Sequence, residues 1–143
     1  MKGNTMKEKI FLGGTCNNST WRDELIPLLQ VDSFNPQVKN WTPECQEEED
    51  RQKEEICRIH FYCITKDLLT SPQLGLYTIA EIMDSTYHED KITYLQIIPD
   101  GFEDGHLKSL RAVIDLVRKR GGIAFFDSDI KRSARILNYS HAK

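Results

Sequence analysis

The chain has 143 residues, a length that suits one domain with a single hydrophobic core. Hydrophobic residues make up 39% and charged residues 29% of the sequence, which is typical of a globular protein. The formal net charge of −3 argues against binding of a nucleic-acid polymer through a basic surface, and no apolar run approaches the roughly 20 residues that a membrane-spanning helix needs.

The N-terminal residues 1–8 are polar and basic, and no apolar stretch of a secretory signal follows them. We expect them to form a flexible leader before a single domain over residues 9–143. The four cysteines include no CxxC pair, so they are expected to be free thiols of a cytoplasmic protein. Cys57 and Cys63 are expected to pack as small hydrophobic residues. Because no histidine has partners at metal-binding spacing, no metal site is predicted.

Short apolar runs bounded by glycine, proline or asparagine predict five strands. Helical patterns separate them, and the clearest is amphipathic over residues 105–120. Strands that alternate with helices imply right-handed crossovers and a parallel sheet. The sequence therefore predicts a flavodoxin-like, three-layer α/β fold with strand order 2-1-3-4-5. The strands are predicted over residues 9–14, 31–34, 59–65, 92–98 and 123–126, and the helices after residue 20 and over residues 43–57, 75–85, 105–120 and 128–138.

Two of the predicted helices have unusual patterns. The first contains Pro27, so it either starts late or bends there. The second, over residues 43–57, has Thr42 as its predicted cap and is almost entirely polar. It is either a solvated helix held by charge pairs such as Glu49–Lys53, or a helix that lines a polar cleft or a subunit interface.

Ligands of such sheets bind outside the carboxyl ends of the strands, where the strand order reverses. Here that point lies between the first and third strands, where the loops over residues 13–20 and 65–78 are expected to meet. The backbone amides of the first loop, with the helix N-terminus that follows, could hold an anion or a sugar hydroxyl. The loop lacks the glycine spacing of known phosphate-binding motifs, and a plain tight turn is the alternative. Its candidate binding residues are Gly13, Gly14, Thr15, Asn17 and Ser19.

Two carboxylates are predicted to face the same cleft. Glu81 lies early in the helix after the third strand, away from an apolar stripe that includes Leu76 and Tyr87. Asp50 lies in the second turn of the helix that leaves the carboxyl end of the second strand. Paired carboxylates are what glycosyl chemistry uses, one as nucleophile and the other as acid. The alternative for each is a solvated side chain on a polar helix face.

Several short motifs, taken in order, resemble those of the nucleoside 2-deoxyribosyltransferase family and its deoxynucleotide N-glycosidase relatives. The resemblance extends over roughly residues 8–127, and its specificity lies in the order and spacing of the motifs. The motifs are Lys9-Ile-Phe-Leu-Gly-Gly14, Phe34-Asn35-Pro36, Glu49-Asp50-Arg51 and Gly75-Leu-Tyr-Thr-Ile-Ala-Glu81. Residues 13–17, 20–22 and 41–45 are especially similar to the 2-deoxyribosyltransferase-like branch.

The resemblance implies an enzyme that cleaves or exchanges the N-glycosidic bond of 2-deoxyribonucleosides or their 5′-phosphates, without a cofactor. It implies that Glu81 is the nucleophile, which forms a covalent deoxyribosyl intermediate, and that Asp50 is the second catalytic acid. Trp41, Gly75 and Tyr77 join the loop residues as candidates for substrate binding, although Trp41 is alternatively a buried structural residue. The alternative functions are a non-catalytic nucleotide-binding module and a glycohydrolase of another N-glycoside such as NAD.

The resemblance also implies homo-oligomers in which a neighbouring subunit completes each active site. A domain of this length forms only a shallow cleft at the switch point, whereas a small nucleoside needs most of its surface covered. We therefore expect a homodimer or a higher homo-oligomer. Residues 127–139, which include Asn138 and Tyr139, are the segment expected to supply the missing wall.

Overall fold

A computed structural model describes residues 6–16, 19–70 and 75–142 of the chain. One sheet contains five strands: β1 (Lys7–Gly14), β2 (Asp32–Phe34), β3 (Cys57–Ile64), β4 (Ile92–Ile97) and β5 (Ile123–Phe126). All neighbouring strands pair in parallel, in the order β2-β1-β3-β4-β5. The predicted flavodoxin-like fold and strand order are thereby confirmed. β1 begins inside the segment expected as a leader, of which residues 1–5 lie outside the described residues.

Helices cover both faces of the sheet: α1 (Trp21–Leu25), α2 (Pro43–Arg51), α3 (Leu76–Thr86), α4 (Asp104–Lys119) and α5 (Ile130–His141). α1 tightens into a 3₁₀ turn over Ile26–Leu28, which is how the chain accommodates Pro27. The predicted cap of α2 is confirmed, because the Thr42 hydroxyl accepts a hydrogen bond from the Cys45 amide at 3.4 Å. α2 continues as a π-helical turn over Gln52–Ile56, and a 3₁₀ turn over Lys66–Thr70 precedes α3.

Side chains of the strands alternate between two hydrophobic layers, because successive residues of a strand point to opposite faces. Phe11 packs in the layer beneath α3 and α4, whereas Ile10 packs in the layer beneath α1 and α5. Burial on both faces explains why the strands appear in the sequence as continuous apolar runs. Cys57 and Cys63 are fully buried, one in each layer, and all four cysteines are free thiols, as predicted.

Candidate active site

The two loops predicted to meet at the carboxyl edge of β1 and β3 do lie together. The Thr15 amide donates to the Cys63 carbonyl at 3.0 Å, and the Thr65 amide donates to the Thr15 hydroxyl at 3.1 Å. Thr15 is only 3% exposed, so these internal bonds account for its residue type. Its predicted contact with a substrate stays a prediction.

Two buried side chains of α1 hold the loop that follows β1. The Trp21 indole donates to the Thr15 carbonyl at 2.9 Å. The Arg22 guanidinium donates to the Thr15 carbonyl at 2.8 Å and to the Leu12 carbonyl at 3.0 Å. It also lies 4.3 Å from the centroid of the Trp21 ring. Residues 20–22 therefore hold the loop in place through Trp21 and Arg22. The Arg22 guanidinium also puts a buried positive charge next to the loop backbone.

The glycines at this edge are required by close packing. Gly14 has a φ of +113°, and a Cβ there would overlap the backbone of Cys63 on the neighbouring strand. A Cβ at Gly13 would overlap the Tyr62 ring, and Gly75 has a φ of +60° immediately before α3. Packing and backbone conformation thus explain these three residue types, and the contacts predicted for them with a substrate are untested.

The two remaining loop candidates are Ser19 and Asn17. The Ser19 hydroxyl is buried, and it has no hydrogen-bond partner among the described residues. A buried hydroxyl without a partner is costly, so this oxygen is free to bond a substrate group. Asn17 lies outside the described residues.

Glu81 is not a solvated side chain. Its carboxylate accepts a 2.7 Å hydrogen bond from the Lys53 ammonium, and both side chains are only 10% exposed. Burial lowers the pKa of Lys53, but the hydrogen bond and the charge of Glu81 outweigh burial and raise it. The ammonium also lies 5.7 Å from the centroid of the Tyr77 ring. Lys53 is therefore held in its charged form beside the predicted nucleophile.

The apolar stripe predicted for α3 is wrong in part. Leu76 and Tyr87 are 70% and 65% exposed, whereas Ile82 is fully buried. Two other members of the predicted stripe, Ile79 and Met83, do pack against the core, beside the fully buried Ile82. Glu81 lies next to Ile82 in the chain, and its side chain is nearly but not fully buried.

Lys53 comes from the π-helical turn that ends α2, and sequence analysis did not identify it as a functional residue. Gln52 and Lys53 are buried in that turn, although the surrounding sequence is polar. The predicted Glu49–Lys53 ion pair is wrong, because Lys53 pairs with Glu81 instead. No residue of α2 itself is buried, and Arg51 pairs with Glu48 on its surface, whereas the buried Gln52 and Lys53 lie in the turn that follows.

A buried histidine fixes the backbone of the π-helical turn. His60 bonds the Lys53 carbonyl through Nε2 at 2.9 Å and the Ser85 hydroxyl through Nδ1 at 2.8 Å. Since a carbonyl only accepts, Nε2 carries the proton and Nδ1 accepts from Ser85. Burial lowers the pKa of His60 to about 4, so the ring is neutral at pH 7. This link joins the segment that carries Lys53 to α3, which carries Glu81, beside a cavity of about 370 Å³.

Two half-buried carboxylates of α2 precede Lys53 in the chain. Asp50 is half-buried and accepts a 2.9 Å hydrogen bond from the Gln46 amide on its own helix. Glu49 is also half-buried and lies four residues before Lys53, on the same side of the helix. Burial and the charge of Glu81 raise the pKa of Glu49. The structure thus adds Glu49 to the candidates, and the catalytic role predicted for Asp50 stays a prediction.

The aromatic candidates are open to solvent. Trp41 is 61% exposed, so the alternative of a buried structural tryptophan is wrong. Tyr77 is 69% exposed on the first turn of α3, one turn before Glu81. Both rings are therefore accessible to a base or sugar, and their role in binding stays a prediction.

The described contacts of the C-terminal segment over residues 127–139 are mainly with its own chain. The Asn138 side chain donates to the Leu28 carbonyl at 2.9 Å and accepts from the Gln30 amide at 2.7 Å. It therefore fastens α5 to the end of the first helical segment. Tyr139 is 93% exposed and stays available for an intermolecular contact.

The described part of the chain contains no cluster of three metal-ligating side chains. In the same residues, no helix is both long and apolar enough to cross a membrane.

Comparison with known proteins supports the resemblance seen in the sequence. The model of a family described as "nucleoside 2-deoxyribosyltransferase like" matches residues 7–66. The matched segment contains β1, α2 and β3, with Glu49, Asp50 and Lys53, and it ends before Glu81. No curated protein matches the chain.

Proposed function

We propose that this chain cleaves or exchanges the N-glycosidic bond of 2-deoxyribonucleosides or their 5′-phosphates. The match of residues 7–66 to the nucleoside 2-deoxyribosyltransferase-like family model supports the proposal. The observation that carries the proposal is the Glu81 carboxylate, which is nearly buried and paired at 2.7 Å with Lys53. Glu81 lies on α3, the helix that follows the carboxyl end of β3, and ligands of this fold class bind at that end of the strands. A carboxylate that is positioned by a single charge partner suits nucleophilic attack on a sugar carbon.

In the proposed reaction, Glu81 attacks the anomeric carbon of the deoxyribose while the base leaves from the opposite face. Lys53 holds Oε2 of the carboxylate, so Oε1 is the oxygen free to attack. The product is a covalent deoxyribosyl ester of Glu81. Water or a second base then displaces the ester, and the two inversions together retain the configuration. A carboxyl group of α2 protonates the leaving base, and the family resemblance assigns that role to Asp50.

Three exposed or unpaired groups are suited to bind the substrate. The Ser19 hydroxyl lacks a partner among the described residues and could bond a sugar hydroxyl or a phosphate. Tyr77 and Trp41 present exposed rings on which a base could stack. The remaining contacts proposed from the sequence are the backbone amides of the loop after β1.

We also propose that the site is completed in a homo-oligomer. The first turn of α3, the helix that carries Glu81, exposes the large apolar side chains of Leu76 and Tyr77. Exposed apolar side chains of this kind are typical of a protein–protein contact. A second copy that packs there would shield the substrate from water. Tyr77 and Trp41 of one chain are too exposed to do so alone.

The test is incubation of the purified protein with each 2′-deoxynucleoside, each 5′-phosphate and NAD, with and without free adenine. Chromatography should reveal base that is released from a deoxynucleoside or deoxynucleotide, or a new deoxynucleoside formed with adenine. Binding without release from any substrate would contradict catalysis and favour the nucleotide-binding module. Release from NAD alone would contradict the deoxyribosyl specificity.

A further inference from the structure

Three charged side chains follow one another in the site: Glu49, Lys53 and Glu81. Lys53 is bonded to Glu81, and it follows Glu49 by one helical turn on the same side of the helix. Glu49 is half-buried, and no described residue forms a hydrogen bond with its carboxyl group. The charges of Glu81 and Lys53 both act on the Glu49 carboxyl group, so the three side chains lie near one another.

Asp50 has a different environment. It lies about 100° around the helix from Glu49. Its carboxylate accepts a hydrogen bond from Gln46, one turn earlier on α2. The bond ties Asp50 to its own helix rather than to the site.

The groups that act on Glu49 raise its pKa on balance. Burial raises its pKa most, and the negative charge of Glu81 raises it further. Lys53 lowers the pKa of Glu49, Asp50 raises it, and the buried Arg22 lowers it. The upward effects prevail, so Glu49 holds its proton to a higher pH than an exposed glutamate does.

We propose that Glu49 is the residue that gives a proton to the leaving base and later recovers it, while Lys53 remains charged and bonded to Glu81 until the ester forms. This inference rests on the proposed function and assigns the proton transfer to Glu49 in place of Asp50. It is carried by the half-buried, unbonded carboxyl group of Glu49 and by the Lys53–Glu81 pair beside it.

The step balances in atoms and in charge. The bond between Glu81 Oε1 and the anomeric carbon forms, and the bond from that carbon to the base nitrogen breaks. The electron pair of the broken bond stays on the base, which takes the proton of Glu49. Glu81 thereby loses its negative charge as an ester at the moment when Glu49 gains one.

The net charge of the three side chains is therefore zero both before and after the step. Before it, Lys53 is balanced by ionised Glu81, and after it, by ionised Glu49. This constancy matters because an unbalanced charge in a poorly hydrated site is costly. In the second half of the reaction, Glu49 takes a proton from water or from the incoming base, and Glu81 leaves as the carboxylate.

The experiment compares two substrates with the same sugar: a purine 2′-deoxynucleoside and its N7-methylated derivative. The methylated base is cationic and leaves as a neutral molecule without a proton. Release of base is measured in a single turnover, so that only the first half of the reaction is observed. The variants are Glu49→Gln, Glu49→Asp and Asp50→Asn, with Glu47→Gln as a control because Glu47 is exposed on the same helix.

We expect Glu49→Gln to slow release of the unmethylated purine by on the order of 10² to 10⁴-fold. Release of the methylated base should change by less than about 10-fold, because its departure needs no acid. Glu49→Asp should recover part of the lost rate, and Glu47→Gln should behave as wild type. Such a substrate-selective loss would not follow from a folding defect, which slows both substrates alike.

Two results would overturn the inference while leaving the proposed function standing. One is a substrate-selective loss in Asp50→Asn that Glu49→Gln does not show. The other is an equal loss on both substrates in Glu49→Gln and Glu49→Asp, which would make Glu49 a structural or binding residue. If the wild-type protein releases no base from either substrate, the proposed function fails and the inference fails with it.

Discussion

Lys53 Nζ lies 2.7 Å from Glu81 Oε2, and this bond joins the π-helical turn before β3 to the helix after it. Both side chains are almost buried, so removal of one partner leaves an uncompensated charge in a poorly hydrated place. We expect Lys53→Met to lower the free energy of unfolding by on the order of 3 kcal/mol at pH 7. Urea unfolding followed by circular dichroism measures the change.

The double variant Lys53→Met, Glu81→Gln supplies the control for that experiment. It removes both charges, so it should be more stable than Lys53→Met alone. If the double variant loses as much free energy of unfolding as the two single variants lose together, the two charges do not interact. That result would contradict a stabilising Lys53–Glu81 pair.

The buried His60 predicts a dependence of stability on pH. The pKa of His60 is lowered from 6.5 to about 4, so the unfolded chain binds a proton between these values that the folded chain does not. His60 therefore stabilises the fold fully above pH 6.5, and this contribution is lost as the pH falls toward 4. At pH 5 we expect it to have fallen by about 2 kcal/mol.

Urea unfolding of wild type, His60→Asn and His88→Asn at pH 7 and pH 5 isolates this contribution. His88 is exposed, so His88→Asn should keep the wild-type difference in stability between the two pH values. His60→Asn should be less stable at pH 7 and should lose about 2 kcal/mol less than wild type between pH 7 and pH 5. Equal pH dependence in all three proteins would contradict a neutral, buried His60.

The packing of Gly14 gives a prediction that is independent of catalysis. Gly14→Ala places a Cβ against the Cys63 backbone at a positive φ, so it should destabilise the fold by on the order of 2 kcal/mol or more. Gly105→Ala is the matched control, because a Cβ there meets nothing within 4 Å and lies in α4. It should stabilise the protein by up to about 1 kcal/mol. Thermal unfolding of both variants measures the difference, and similar melting temperatures would refute this account of the loop.

Most of the fold could be predicted from the sequence because both faces of the sheet are buried. Continuous apolar runs such as residues 9–14 and 123–126 leave little doubt about where strands lie. Their alternation with helices then restricts the topology. Thr42 was also predictable, since a hydroxyl before proline at a helix start has a specific bonding role.

The site was less predictable, because its key contacts do not follow a regular period. A period of 3.6 residues cannot show which side chains a π-helical turn buries, so Lys53 appeared to belong to a solvated helix. The same rule misjudged α3, where the buried Ser85 faces the sheet and the apolar Leu76 faces outward. Ser85 is buried because it bonds His60, and such a polar contact between distant segments leaves no local pattern.

The exposed apolar surface of α3 predicts self-association. Light scattering at micromolar concentration should give at least twice the mass of one chain. Leu76→Glu should shift the protein toward the monomer and lower activity, because Leu76 is 70% exposed on the helix that carries Glu81. Leu116→Glu is the control, since Leu116 is exposed on α4, and it should leave the mass unchanged. A fully active monomer in the wild type would contradict a shared site.

The most direct test of the account is the mass of the intact protein after a brief reaction with a cleavable deoxynucleoside and an acid quench. We expect a fraction of the wild-type protein to gain the mass of one deoxyribosyl group, and peptide mapping should locate it on Glu81. Glu81→Gln should gain no mass and release no base, whereas Asp84→Asn, which changes an exposed residue of the same helix, should behave as wild type. Release of base by a folded Glu81→Gln protein, or a deoxyribosyl group on another residue, would contradict the role of Glu81 as nucleophile.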